Sequence, residues 1–237
     1  MENKKIALVT GAQRGIGLEV CKQLAEKEGI HVILSALDLE KGQEAVKQLK
    51  KKYSLDLSCM QMDVSNLKSV QLCRDQVLEK FGRLDILVNN AGVHLDQRKS
   101  ILEIDESVME KTFSVNFFGD FYTMKTFLPI MQKNDYGRIV NVSSTRGTFS
   151  QTCSDIAGCY KLSKYSQNAL TRTFASAVTS KNIKINAVCP GWVKTKMGGN
   201  SAPVKPSKAI GTIIYLAMLP KKGPTGKFFS GMREMNW

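Results

Sequence analysis

The sequence predicts a single α/β domain over residues 1–237, with a doubly wound parallel sheet of about seven strands flanked by helices. Three observations predict it. Short β-branched runs alternate with longer stretches of helical periodicity. The short runs are nearly continuous in apolar residues, as strands covered on both faces require. The 237 residues contain no repeat, no low-complexity segment and no dividing linker, a length that suits one well-packed unit.

Taken in order, strands are expected at 5–10, 31–36, 57–61, 84–89, 138–143, 184–188 and 227–230. Helices are expected at 15–28, 39–52, 66–81, 107–133 with a break near Asn116, 160–180 and 206–219. Parallel neighbours joined by helices demand right-handed crossovers, and such sheets bind ligands outside the carboxyl ends of their strands. The loop 190–206 is expected to face substrate.

Composition narrows the function. Hydrophobic residues at 43% and charged residues at 23% are ordinary for a globular protein. No apolar run approaches the roughly 20 residues of a membrane span, and the charged N-terminus carries no small-residue cleavage site, so no membrane partner or signal peptide is expected. The six cysteines are scattered and the histidines are only His31 and His94, which predicts reduced thiols, a cytoplasmic protein and no metal site. His31, opening a strand, reads as structural. The net charge of +13 is spread along helix faces, as at Lys47, Lys50, Lys51 and Lys52, without interleaved aromatics. That pattern predicts a solvated surface rather than a nucleic-acid partner, and a positive field suits an anionic cofactor.

The first strand runs into Thr10-Gly11-Ala12-Gln13-Arg14-Gly15-Ile16-Gly17 and then a helix. Gly11 permits a tight turn, Gly15 lets backbone approach a pyrophosphate, and Gly17 allows close packing. The free amides at the helix start suit phosphate. A packing-only glycine turn is the bland alternative. Four later features sharpen the choice: Asn89-Asn90-Ala91-Gly92 after the fourth strand, Asn116 in a helix, Ser144 after the fifth strand, and Tyr160 with Lys164 one helical turn on. Pro190-Gly191 follows the sixth strand. Together these motifs resemble the short-chain dehydrogenase/reductase family along essentially the whole chain, which implies a Rossmann-like fold.

The resemblance implies an oxidoreductase that takes a hydride from a nicotinamide cofactor while Tyr160 delivers a proton to a substrate carbonyl. A tyrosine of ordinary pKa, about 10, needs help near neutrality, and Lys164 is expected to lower it. The resemblance further implies that Ser144 bonds the carbonyl, that Lys164 bonds the cofactor ribose, and that Asn116 holds a water in a proton relay. Ser143 is read as support for the turn. The sixteen-residue interval from Ser144 to Tyr160 is slightly long for the family and holds Cys153 and Cys159, read as incidental.

For the cofactor, Ala36 stands where an NAD-preferring relative has an acid, and Arg14 matches a basic position that receives the 2′-phosphate of NADP. NADP(H) is therefore expected, although Leu37 stands where NADP-dependent relatives often have arginine. Asp38 is assigned to capping the next helix. Asp63 and Val64 match an adenine-contacting pair, with Asp63 also read as a helix cap. Gln13, Ile16, Pro190, Val193 and Thr195 complete the expected cofactor contacts, Thr195 at the nicotinamide carboxamide.

Within the family, the segment 186–195 and the ending around 215–230 are similar to NADPH-dependent carbonyl reductases, which implies a hydrophobic ketone, aldehyde or quinone as substrate. The long insertion that precedes the tyrosine in many of those relatives is nearly absent, which leaves monomer or homo-oligomer open. Trp192 reads equally as a substrate wall or as loop packing. Met232, Met235 and Trp237 read as packing or a mobile tail. Alternatives are an alcohol dehydrogenase working oxidatively and a catalytically idle cofactor sensor.

Overall fold

The computed structural model describes residues 4–96, 99–150 and 154–237. The sheet grows in both directions from β1 (Lys5–Val9). On one side lie β2 (Ile30–Ala36) and β3 (Leu57–Gln61). On the other lie, in order, β4 (Ile86–Asn89), β5 (Gly137–Val142), β6 (Ile183–Cys189), β7 (Phe228–Ser230) and β8 (Arg233–Met235). The first seven strands are mutually parallel. The chain winds outward through β2 and β3, then returns to the other side of β1, so the winding reverses between β1 and β4. A crevice opens there at the carboxyl ends. Val9 pairs in register with Val88, so the glycine turn and the Asn89-Asn90 turn emerge side by side.

Alternation explains the continuous apolar runs. Ala7, Val9, Ile86, Val88, Val140 and Val188 point to one core, while Ile6, Leu8, Leu87, Ile139 and Ile185 point to the other. The first core is covered by α1 (Gly15–Ala25), α2 (Leu39–Tyr53) and α8 (Gly211–Ala217). The second is covered by α3 (Leu67–Phe81), α5 (Gly119–Lys133) and α6 (Gly158–Ala177). No helix among the described residues is long and apolar enough to cross a membrane.

The expected break near Asn116 is a wide π-type turn, Ser114–Phe118, between α4 (Glu106–Phe113) and α5. Turns of this kind inside helices frequently occur at functional sites. The expected helix 206–219 is two helices, α7 (Pro206–Ala209) and α8, because Ile210 leaves helical geometry at φ −95°, ψ 1°. The strand β8 was not expected. It turns back at Gly231, runs antiparallel to β7, and is exposed and polar, so it has neither the apolar run nor the alternation that marks the other strands. The mobile-tail reading of this segment is corrected accordingly: Trp237 stacks on Phe228 with ring centroids 5.7 Å apart, although Met232 and Met235 face solvent.

Candidate active site

The glycine turn and the turn after β4 are clamped together. Thr10 Oγ1 accepts the amides of Asn90 and Ala91, each at 2.9 Å. Asn90 Nδ2 donates back to the carbonyls of Thr10 at 2.8 Å and Gly11 at 3.2 Å. This closeness excludes side chains. A Cβ on Gly17 would lie 2.5 Å from Asn90 Nδ2 and 2.8 Å from Ala12 Cα. Gly11, at φ +59°, would place one 2.9 Å from Ala91 Cα. Arg14 precedes α1 in extended conformation with no side-chain cap, so the first amides of α1, at Gly15, Ile16 and Gly17, carry no capping partner. Gln13 Oε1 is buried without a hydrogen-bond partner beside them.

At the end of β2, Ala36 is buried and Leu37 is exposed into the cleft. Asp38 caps α2 as expected: its Oδ1 accepts from Lys41 N at 3.1 Å, and its carboxylate pairs with Lys41 Nζ. Asp63 lines the cleft but does not cap α3. Asn66 does so, through the amides of Lys68 and Ser69, while Asp63 Oδ1 accepts from Ser65 N at 2.9 Å and Ser65 Oγ at 2.6 Å. The capping reading of Asp63 is therefore corrected. Val64 packs against the start of α5, where a Cβ on Gly119 would be 2.9 Å from its Cγ2.

Ser144 follows β5 and opens a short 3-10 turn, Thr145–Gly147. Gly147 lets this turn lie directly on α6, since a Cβ there would sit 2.5 Å from the carbonyl carbon of Lys164. Ser143 is buried, its Oγ 3.5 Å from Lys164 O, in the supporting role expected of it. Ser144 stands in the cleft with Tyr160 and Lys164. Burial pushes the Tyr160 phenol up to about 12, while the Ser144 hydroxyl and the Arg146 guanidinium act downward. The expectation that Lys164 lowers this pKa is not met here. Lys164 Nζ is drawn to Val142 O and Gln167 Oε1, both at 2.9 Å, and stands over the tyrosine ring at 5.8 Å from its centroid.

The Asn116 side chain is committed to structure. Its Oδ1 accepts from Val93 N at 2.8 Å, and its Nδ2 donates to Val93 O and Ser163 Oγ, each at 2.9 Å. It thereby ties the loop after β4 to α6, and with both amide N–H groups used it has only acceptor capacity left for the water its expected relay role calls for.

After β6, Pro190, Gly191, Val193 and Thr195 line the cleft. Thr195 Oγ1 accepts from Gly198 N at 3.0 Å, holding the loop over Gly15, whose Cβ position would be 3.3 Å from Thr195 Cγ2. Trp192 combines its two expected readings: Nε1 donates to Gly198 O at 2.8 Å, while the ring stays exposed along the cleft. Cys159 is fully buried and its thiol is pushed up by burial; Cys153 lies outside the described residues.

Two features escaped sequence reading. His94 lies in the cleft, stacked on Tyr160 with centroids 4.3 Å apart, and burial lowers its pKa. Its Nε2 is 3.8 Å from Asp96 Oδ1, and neither atom has a hydrogen-bond partner. Its position two residues beyond Gly92, in the loop that follows β4 along the crevice, was the available signal. The second feature is Gln167 and Asp120 behind Lys164, which no local motif marks. His31, by contrast, bonds Asp56 at 2.7 Å and Ser58 at 2.9 Å, a structural histidine as expected.

The glycine turn, Ser144, Tyr160 and Lys164 share one cleft of about 1220 Å³. A sequence model described as short chain dehydrogenase matches residues 5–205, and the chain belongs to that family of oxidoreductases. Among relatives, the chain is 31% identical to the carbonyl reductase (NADPH) 1 of Sus scrofa, over 99% of this chain and 95% of the relative. It is 32% identical to a (+)-neomenthol dehydrogenase of Arabidopsis thaliana, over 97% of each. An NADPH-bound carbonyl reductase from chicken fatty liver superposes with a TM-score of 0.87 at 27% identity, covering 99% of each chain. The alignment to the Sus scrofa enzyme spans 284 positions against 237 residues here, so that relative carries segments this chain lacks.

Proposed function

We propose that this chain reduces the carbonyl of a small hydrophobic ketone, aldehyde or quinone to an alcohol with NADP(H), Tyr160 acting as general acid. One observation carries the reading. Tyr160 shares one cleft with Ser144 and the glycine turn, and desolvation pushes its phenol up, so that its proton is retained. A neutral phenol is ready to donate a proton, as reduction requires, whereas alcohol oxidation requires it to accept one.

The residues present fit a dinucleotide phosphate. Gly11 and Gly17 let the turns pack where a Cβ would meet Ala91 and Asn90, the first amides of α1 carry no cap, and Arg14 stands exposed beside them for a 2′-phosphate. With Ala36 uncharged and Asp38 occupied by Lys41, no carboxylate is offered to a ribose 2′-hydroxyl at the end of β2. Asp63, Val64, Asn90, Ala91 and Gly92 would border the adenosine and ribose, and Val193 and Thr195 the nicotinamide. When bound, the cofactor supplies the hydride. Ser144 orients the substrate oxygen and shares a hydrogen bond with Tyr160, which donates its proton to the developing alkoxide. Lys164 offers its remaining N–H towards the cleft. Trp192 gives an apolar wall. The five described cysteines are free thiols, which supports a cytoplasmic setting.

The test is oxidation of NADPH, and separately of NADH, against a panel of quinones, aldehydes and ketones, with Tyr160→Phe beside the wild type. Turnover with NADPH that collapses in Tyr160→Phe is expected. Absence of turnover across the panel, or full activity in the variant, would refute the mechanism.

A further inference from the structure

The Lys164 ammonium is buried, and two of its three N–H groups end on neutral acceptors, Val142 O and Gln167 Oε1. The third is left for the side of Gly92, where even a Cβ would be 3.8 Å from Nζ. A buried ammonium with only neutral partners tends to lose its proton. Behind Gln167 lies a carboxylate. Gln167 Nε2 donates to Asp120 Oδ2 from the other end of the same amide, and Asp120 is itself buried in α5, away from the cleft. The amide has one workable orientation, donating to the carboxylate and accepting from the ammonium; reversed, it would set like groups against each other at both ends. Among the described residues no other side chain donates to the Asp120 carboxylate, which belongs to no ion pair at the surface. A carboxylate buried on a single amide is a poor source of stability.

We propose that Asp120 is a positioning residue for the reaction: through Gln167 it keeps Lys164 protonated and turned so that its third N–H faces the cleft. This rests on the carbonyl-reductase reading above. The groups that face Lys164 are Asp120 from α5, Cys189 from the end of β6 and Tyr160 from one turn earlier on α6; beyond the phenol stand Arg146 and Asp96. Burial acts to lower the Lys164 pKa and pushes that of Asp120 up to about 7, and Asp120, once ionised, is the largest influence that holds the proton on Lys164. Without Asp120, Lys164 gives up its proton at lower pH.

The test uses Asp120→Asn, which keeps the size and the acceptor for Gln167 but removes the charge. Two readouts are taken from roughly pH 6 to roughly pH 9: NADPH affinity by fluorescence titration, which needs no turnover, and the pH profiles of kcat and KM. The alkaline limb of both is expected to move down by about one pH unit or more, with NADPH held about tenfold more weakly at the alkaline end and kcat affected more than substrate KM. Gln167→Met, which cuts the relay and leaves the carboxylate, is expected to move the limbs the same way, and it serves if Asp120→Asn does not fold. A folded variant of either kind with wild-type pH dependence in both readouts would reduce the trio to a structural clasp between α5 and α6, as would failure of both to fold. A wild type that binds NADPH yet turns over no carbonyl would sink the reading of the reaction, and the binding arm alone would then decide the role of Asp120.

Discussion

At the β1 end of the cleft the lining is turn backbone, packed too closely for side chains at Gly11 and Gly17, with the first amides of α1 uncapped. At the β5 end the lining is side chains, those of the half-buried Ser144 and Tyr160 and the buried Lys164, whose ammonium is held from behind by Val142 O and Gln167 Oε1. The first arrangement tolerates almost no added atoms, since Gly17 has 2.5 Å to Asn90 Nδ2. Asn116 joins the two, tying Val93 beside the first region to Ser163 in the second.

The largest effect is expected where the acid itself is lost. Tyr160→Phe should lower kcat by about a hundredfold to ten-thousandfold while NADPH affinity, measured by fluorescence titration, changes little. Equal losses of both would mean the two regions are not separable. Gly17→Ala should do the reverse, costing about 1–3 kcal/mol of stability by overpacking and weakening NADPH binding, read by thermal melting and titration. Arg14→Ala should raise the KM for NADPH by about tenfold to a hundredfold and leave the KM for NADH nearly unchanged, consistent with loss of one charge-assisted contact. An equal effect on both cofactors would remove Arg14 from 2′-phosphate recognition.

The smallest effect belongs to His94. Its folded pKa is lowered, so between that value and the unfolded one the unfolded chain binds more protons. The stability it contributes is complete above the unfolded value of about 6.5 and falls as pH drops through it. Melting temperatures of His94→Phe should therefore decline less steeply on acidification than those of the wild type. A parallel decline would place the acid sensitivity elsewhere.

The two regions also differed in legibility. Gly11, Gly15, Gly17, Ser144, Tyr160 and Lys164 were readable because each lies at a fixed interval from a strand end or helix start. The supports were not. Asp120 and Gln167 are 47 residues apart and meet only because α5 and α6 pack side by side over the second core. The placement of the Lys164 ammonium was hidden for the same reason: the four-residue spacing puts Lys164 on the same helix face as Tyr160, but does not tell how far Gln167 and Val142 draw its ammonium back. Asp63 gave up its capping role to a neighbour equally able to cap. Most strands and helices were readable because burial on two faces leaves a plain apolar signature, and β8, exposed, carries none.

That last strand has a consequence for how copies of the protein meet. The far edge of a sheet is an open row of amides and carbonyls on which another chain can extend it. Here the edge is three residues long, carries Arg233 and Glu234 facing solvent, and is pinned by the Lys227–Glu234 ion pair at 2.6 Å. So short and charged a border offers little purchase to an incoming strand, and it shields the apolar Phe228 and Phe229 behind it from edge-to-edge aggregation.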